Sequence, residues 1–227
     1  MKKMTKVLAL TLTSFTLMTG CKGKEITAAE AKGVIDGISK AQDAAYDENV
    51  SWTVTTEING VVDGKDDKVK AVISYNAEES VIYTYSLSEG KETEFYYGFS
   101  SDTYYVFDEV KGEYTSFVSF GGSIAWETQK IALFVTSPET IGTAYIALFA
   151  TAANIEAEGY TYFSSGEGNL VVDVTEGESS ASYTFKNNVF TGAIENVKDD
   201  KNDFSAKTTV KYSSKYKLPN IKNYTKA

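Results

Sequence analysis

The hydrophobic positions along this chain change their period several times, and the changes divide it into blocks. Lys2, Lys3 and Lys6 lead into an apolar run from Val7 to Met18, broken only by Thr and Ser. At about 12 residues the run is short of the roughly 20 that a membrane-spanning helix takes. From residue 27 onward Ala31, Val34, Ile35, Ile38, Ala41 and Ala45 recur at helical spacing, which predicts an amphipathic helix over 27–45. Thr27 and Glu30 form a capping-box pattern at its start. Gly33 and Gly37 lower its intrinsic stability, so its apolar stripe needs a sheet to lie on.

At Ser51 the period becomes two. Trp52, Val54, Thr56 and Ile58 alternate with polar neighbours as a half-buried strand, and Asn59-Gly60 with a polar tip at 63–68 reads as the turn. Further strands carry Ala71, Ile73 and Tyr75, then Val81, Tyr83, Tyr85 and Leu87, then Phe95, Tyr97 and Phe99, then Tyr105 and Phe107. A sixth strand is expected over 113–120, with its inward face not set by the pattern. Connections this short predict an antiparallel meander.

Gly121-Gly122 is read as the end of that meander. A helix over 123–135 would place Ile124, Thr128, Ile131 and Val135 on one side, with Trp126 nearby. Ser137-Pro138-Glu139 is a helix start, with Ser as cap and Pro in the first helical position. The helix it opens, to about residue 157, is apolar nearly all round, including Ile141, Tyr145, Leu148 and Phe149, and so should be buried or membrane-embedded, with its length near the lower limit for a span. Strands follow over 159–165, 169–175, 180–186, 189–197 and 204–212. The tail from 215 is polar, Lys-rich and without period.

Composition narrows the chemistry. The 227 residues suffice for a substantial core, and carry 22 basic against 31 acidic residues, every basic one a Lys. Without residues 1–20, which hold three Lys and no acid, 19 basic face 31 acidic residues, formally −12. Such a surface argues against nucleic acid, whose phosphates call for clustered Lys and Arg. With no His there is no imidazole base, no Ser-His pair and no imidazole ligand for zinc. The acidic turns at Asp63, Asp66, Asp67 and at Asp199, Asp200, Asp203 lack EF-hand spacing and read as solvated hairpin tips. Ser214 to Lys217 matches Ser-x-x-Lys without its companion motifs, and Gly166-Glu167-Gly168 precedes no helix that could cradle a phosphate. The expectation is no catalysis, no metal and no cofactor.

Leu17-Met18-Thr19-Gly20-Cys21, behind a basic start and a short apolar run, resembles the bacterial lipoprotein signal, with Met18 where Leu is usual. That resemblance implies a signal peptide over 1–20, acylation of Cys21, the chain's only cysteine, and a lipidated tether over 21–26. The location implied is the extracytoplasmic face of a membrane, held by the lipid anchor. The 27–45 helix, the Thr- and Tyr-rich meander from Trp52, the helical insert 123–157 and late strands ending Lys211-Tyr212 and Leu218-Pro219 resemble the LolA and LppX types of lipoprotein carriers. This resemblance implies an α+β domain over 27–218 with a polar tail over 219–227. Its core would be a strongly curved antiparallel sheet, a half-barrel of about 11 strands, with helices over the concave face. It also implies that an acyl chain or other apolar ligand is held between sheet and helices. The Arg usually credited with lid control in LolA-type carriers has no counterpart in this chain.

On that reading Trp52, Val54, Ile73, Tyr83, Tyr85, Phe95, Tyr97 and Phe107 face Tyr145, Leu148 and Phe149 across a ligand cavity. The same side chains could instead fill one another's space as a dry core, leaving a surface or structural lipoprotein. No protein partner is assigned.

Overall fold

Alternation of β-branched and aromatic residues with polar ones makes most of this chain extended, and cross-strand pairs of those residues tie it into one sheet. The computed structural model describes residues 22–45, 50–118 and 120–227. The signal segment and Cys21 therefore lie outside the described residues.

Strand β1 (Lys24–Ile26) precedes helix α1 (Ala28–Ala45). The first meander is β2 (Trp52–Val62), β3 (Lys65–Asn76), β4 (Val81–Ser88), β5 (Lys91–Ser100), β6 (Thr103–Asp108) and β7 (Glu113–Val118). Helices α2 (Phe120–Phe134) and α3 (Pro138–Asn154) follow. The second meander is β8 (Tyr160–Gly166), β9 (Asn169–Glu176), β10 (Ser179–Lys186), β11 (Val189–Lys198) and β12 (Asp203–Lys211). A short 3-10 turn (Ile221–Asn223) and β13 (Thr225–Lys226) end the chain.

The 13 strands form one sheet in the order β1-β8-β9-β10-β11-β12-β2-β3-β4-β5-β6-β7-β13. The predicted α+β class with a large antiparallel sheet holds; among the described strands only β13 on β7 is parallel. The strands beyond the expected 11 or so are β1 and β13. At three and two residues they are too short to show a period, and they sit where a tether and a polar tail were expected. The two meanders join where β12 pairs with β2, Val210 opposite Val54, with the hydroxyls of Thr56 and Thr208 3.2 Å apart.

Local signals account for the element ends. Thr27 N–H donates to Glu30 Oε2 at 2.8 Å and Glu30 N–H to Thr27 Oγ1 at 3.2 Å, the expected capping box. Ser137 Oγ accepts from Thr140 N–H at 3.2 Å, with Pro138 first in α3. Two glycine signals mean something other than expected. The β2–β3 turn is Asp63-Gly64, both at positive φ, while Asn59-Gly60 pairs within the ladder. Gly60 instead lets β12 approach: a Cβ there would lie 2.3 Å from the Asp203 carbonyl oxygen. Gly121-Gly122 lies inside α2, where a Cβ on Gly122 would lie 2.5 Å from the Phe117 carbonyl oxygen.

Opposed residues of a ladder share a face. One face carries the row Trp52, Tyr75, Ile82, Tyr97, Val106 and meets the helices in the main core. The other carries Thr53, Ser74, Tyr83, Tyr96, Phe107, Tyr114. The chain after β12 crosses this second face as a strap. Tyr216 stacks on Tyr83 at 3.8 Å, Leu218 lies over Gly98, and Tyr224 meets Phe107 edge-on at 4.9 Å. The expected polar tail is thus the cover of a second, smaller core around Val72, Val81 and Phe107.

The strands also give the sheet two unlike ends. At one, the tether end, lie Lys22 to Lys24, the start of β2, the end of β7 and the turns at 77–80 and 101–102. At the other lie the turns carrying exposed Asp63, Glu89, Glu178, Asp199 and Asp200, with Glu156 and Glu158 before β8. This is the acidic end.

Candidate functional site

Three helices share the first face of the sheet. α1 and α3 pack against each other and over β8 to β11, and α2 lies on β5 to β7. Under α1 and α3 the packing is complete. Ile35, Ile38, Ile146, Phe149, Phe185 and Phe190 are each at most 3% exposed. Phe149 meets Tyr183 at 5.2 Å and Phe185 edge-on at 6.4 Å. Helix α3 is not buried all round, because its outer side is mostly Ala and Thr, which tolerate water. Leu148 belongs to that side at 49% exposure and does not face the sheet as expected, whereas Tyr145 and Phe149 do.

Of the strand residues expected at a cavity, Trp52, Val54, Ile73, Phe95 and Tyr97 lie on the helix-bearing face. Tyr83, Tyr85 and Phe107 lie on the strap-covered face. The reason is phase. β4 presents Ile82 and Thr84 to the helices and Tyr83 and Tyr85 away, and where both faces carry bulk the larger side chains do not mark the inner one. Tyr83 and Tyr85 instead line an open groove of about 340 Å³ with Thr55, Lys70, Val72 and Tyr216. Two of its polar groups are paired with neighbouring acids, Lys70 Nζ to Glu57 at 2.9 Å and the Tyr83 hydroxyl to Glu94 at 2.9 Å.

On the helix-bearing face a polar cluster went unrecognised in the sequence. The Tyr183 hydroxyl donates to Glu195 Oε1 at 2.8 Å, and the Tyr145 ring lies 4.5 Å from that of Tyr183. Burial, and then the carboxylate of Glu195, push both phenols above their ordinary range. Two further polar atoms there, Gln42 Nε2 and the Tyr162 hydroxyl, are buried without a partner. Tyr183 alternates with Phe185 on β10, which is the signal that could have placed it inward.

Helix α2 is held differently. It buries only Gly122, Trp126 and Leu133, with Trp126 lying 6.3 Å from Tyr104. The apolar side read over 123–135 turns outward: Ile124 is 52% exposed, Ile131 72% and Val135 69%. Phe120, Phe134 and, at the end of β7, Val118 extend the stripe. Phe120–Asn154 is long and apolar enough by composition to cross a membrane. The Ser137-Pro138 cap splits it into helices of 15 and 17 residues, each below the roughly 20 of a span.

No family model matches this chain. No curated protein matches it. Among solved structures it is similar to an uncharacterized conserved protein from Thermus thermophilus, at 8% identity and a TM-score of 0.30, over 87% of this chain and 98% of that one. At that score the likeness carries no argument about fold or function. Among the described residues no group of His, Cys, Asp and Glu is placed to hold a metal ion.

Proposed function

We propose that this chain is a lipoprotein anchored through Cys21 on the extracytoplasmic face of a bacterial membrane, and that it takes up an apolar ligand of the acyl-chain class without catalysis. The observation that carries the uptake is the light hold on α2. Its buried side chains are Trp126 and Leu133, and it lies on β5 to β7 beside strand positions that are only half-buried, Tyr97, Phe99 and Val106. Displacing a helix with so few anchors uncovers an apolar strip of sheet at small cost, and an alkyl chain can replace what is lost. The half-barrel curvature is part of this proposal, supported by helices over opposite halves of the strand order sharing one core.

Trp126 reports on the proposal directly. In a Trp52→Phe background, titration with a long-chain fatty acid should shift Trp126 emission in a saturable way. Unchanged emission would count against uptake beneath α2. The anchor is tested separately by mass spectrometry of Cys21 peptides from membrane fractions, which should carry a diacylglyceryl thioether.

A second reading, a surface or structural lipoprotein with a dry core, is favoured by the complete packing around Phe149, Phe185 and Phe190. It predicts no response to the fatty acid.

A further inference from the structure

The apolar stripe of α2 and the tether leave the sheet at the same end. Lys24 pairs with Ser164 beside the β8–β9 turn, which fixes where residue 22 emerges. Lys22, where the described chain begins, stands two residues before Lys24, so at roughly 3.5 Å per extended residue it leaves the sheet within about 7 Å of that pair. α2 begins two residues after β7 reaches that same end, and Gly122 closes on Phe117 there. α2 then gives way to α3, whose second turn lies at the last turn of α1, the Thr143 hydroxyl donating to Gln42 Oε1 at 3.3 Å. A chain anchored at Cys21 must therefore turn this end to the bilayer.

We infer that α2 is a membrane-contacting helix: its outward stripe, Phe120, Ile124, Ile131, Phe134 and Val135, lies in the headgroup–acyl boundary of the bilayer that holds Cys21, and fixes the sheet end-on to the surface. This rests on the proposed acylation of Cys21. A residue row spaced 4, 7, 3 and 1 apart is one side of a helix, and here it is the side without a protein neighbour. Glu127 and Lys130 beside the stripe pair with each other at 3.4 Å, so no lone charge on this helix opposes its approach to lipid. Charge points the same way. Exposed turn acids are more numerous at the far end, with Asp63, Glu89, Glu156, Glu158, Glu178, Asp199 and Asp200 there and Glu78, Glu79, Asp102 and Glu167 at the tether end, so this orientation holds the larger group away from anionic headgroups. One acyl anchor plus an interfacial helix is also the kind of paired attachment that holds a protein firmly at a surface. In this arrangement the helix proposed to yield to a ligand is the one in contact with lipid, so uptake is from the bilayer and not from water.

The test uses the mature chain from Cys21, coupled through that thiol to a maleimide phospholipid in phosphatidylcholine vesicles. The anchor is thereby supplied whether or not cells acylate it. Amide hydrogen exchange is compared with the same chain capped by a soluble thiol reagent. Peptides over 118–135 should exchange several-fold more slowly on vesicles, while those over 62–65 and 198–203 stay unchanged. Ile131→Ser with Phe134→Ser should abolish the protection and leave thermal melting of the capped chain unchanged. Phe120→Ser, at the other end of the stripe, should weaken it in part. Equal exchange in 118–135 with and without vesicles overturns the inference. So does protection already present in the capped chain with sedimentation as a dimer, which would make a second copy the occupant. Unmodified Cys21 in cells together with protection on vesicles would end the anchoring proposal and leave the lipid contact of α2 standing.

Discussion

Phe149 and Leu148 are neighbours in sequence and opposites in environment, at 0% and 49% exposure. Phe149→Ala removes a ring packed on all sides and should cost about 3–5 kcal/mol. Leu148→Ala should stay within about 0.5 kcal/mol. Urea melts of the two variants decide it, and similar losses would mean that α3 is rotated about its axis, with Leu148 also turned to the sheet. Tyr96 and Tyr104 supply a pH dependence. Burial, the largest cause in each, holds their phenols up at about 12, above the ordinary value near about 10. The folded chain keeps protons that the unfolded chain releases, so this stabilisation is whole below about pH 10 and is lost as pH rises through about 12. Urea midpoints should fall across that window as tyrosinate absorbance rises, and a flat midpoint would contradict the burial of these rings.

At the scale of elements, caps and alternation were legible and the strap was not. Thr27 with Glu30 and Ser137 with Pro138 act within one helical turn, so four residues suffice to read them. The strap has no period because it pairs with the sheet through scattered side chains. Ser214 bonds Ser74 at 2.8 Å, Lys217 pairs with Glu79 at 2.5 Å, and the Tyr224 hydroxyl donates to Glu109. The Ser-x-x-Lys match is therefore two fastenings of the strap. Deleting residues 219–227 removes the Tyr224 contact with Phe107 and should cost roughly 1–3 kcal/mol, the scale of one buried aromatic side chain. Thermal melts check it; an unchanged midpoint would return this segment to the status of a loose tail. Phase between strands was illegible for a related reason. With tyrosines on both faces of β5 and Ile82 opposite Tyr83 across β4, only the ladder register shows that Tyr97 faces the helices and Tyr83 the strap.

For the whole molecule, the sequence pattern carried the fold class, the two meanders and the helical insert between them, because each is a long periodic run. It did not carry the direction of the α2 stripe. An apolar side without a protein neighbour has the same spacing as one packed on a core, and only exposure separates them. The functional account rests on that difference: a helix loosely held by Trp126 and Leu133, apolar on its outer side, beside a half-buried strip of sheet. Its most direct test is native mass spectrometry of the chain from Lys22, purified without detergent. The account predicts species heavier than the bare chain by the mass of one lipid or fatty acid, exchanged by added fatty acid and lost in a Trp126→Ala variant that still melts cooperatively. The bare mass alone, before and after incubation with fatty acid, would contradict it.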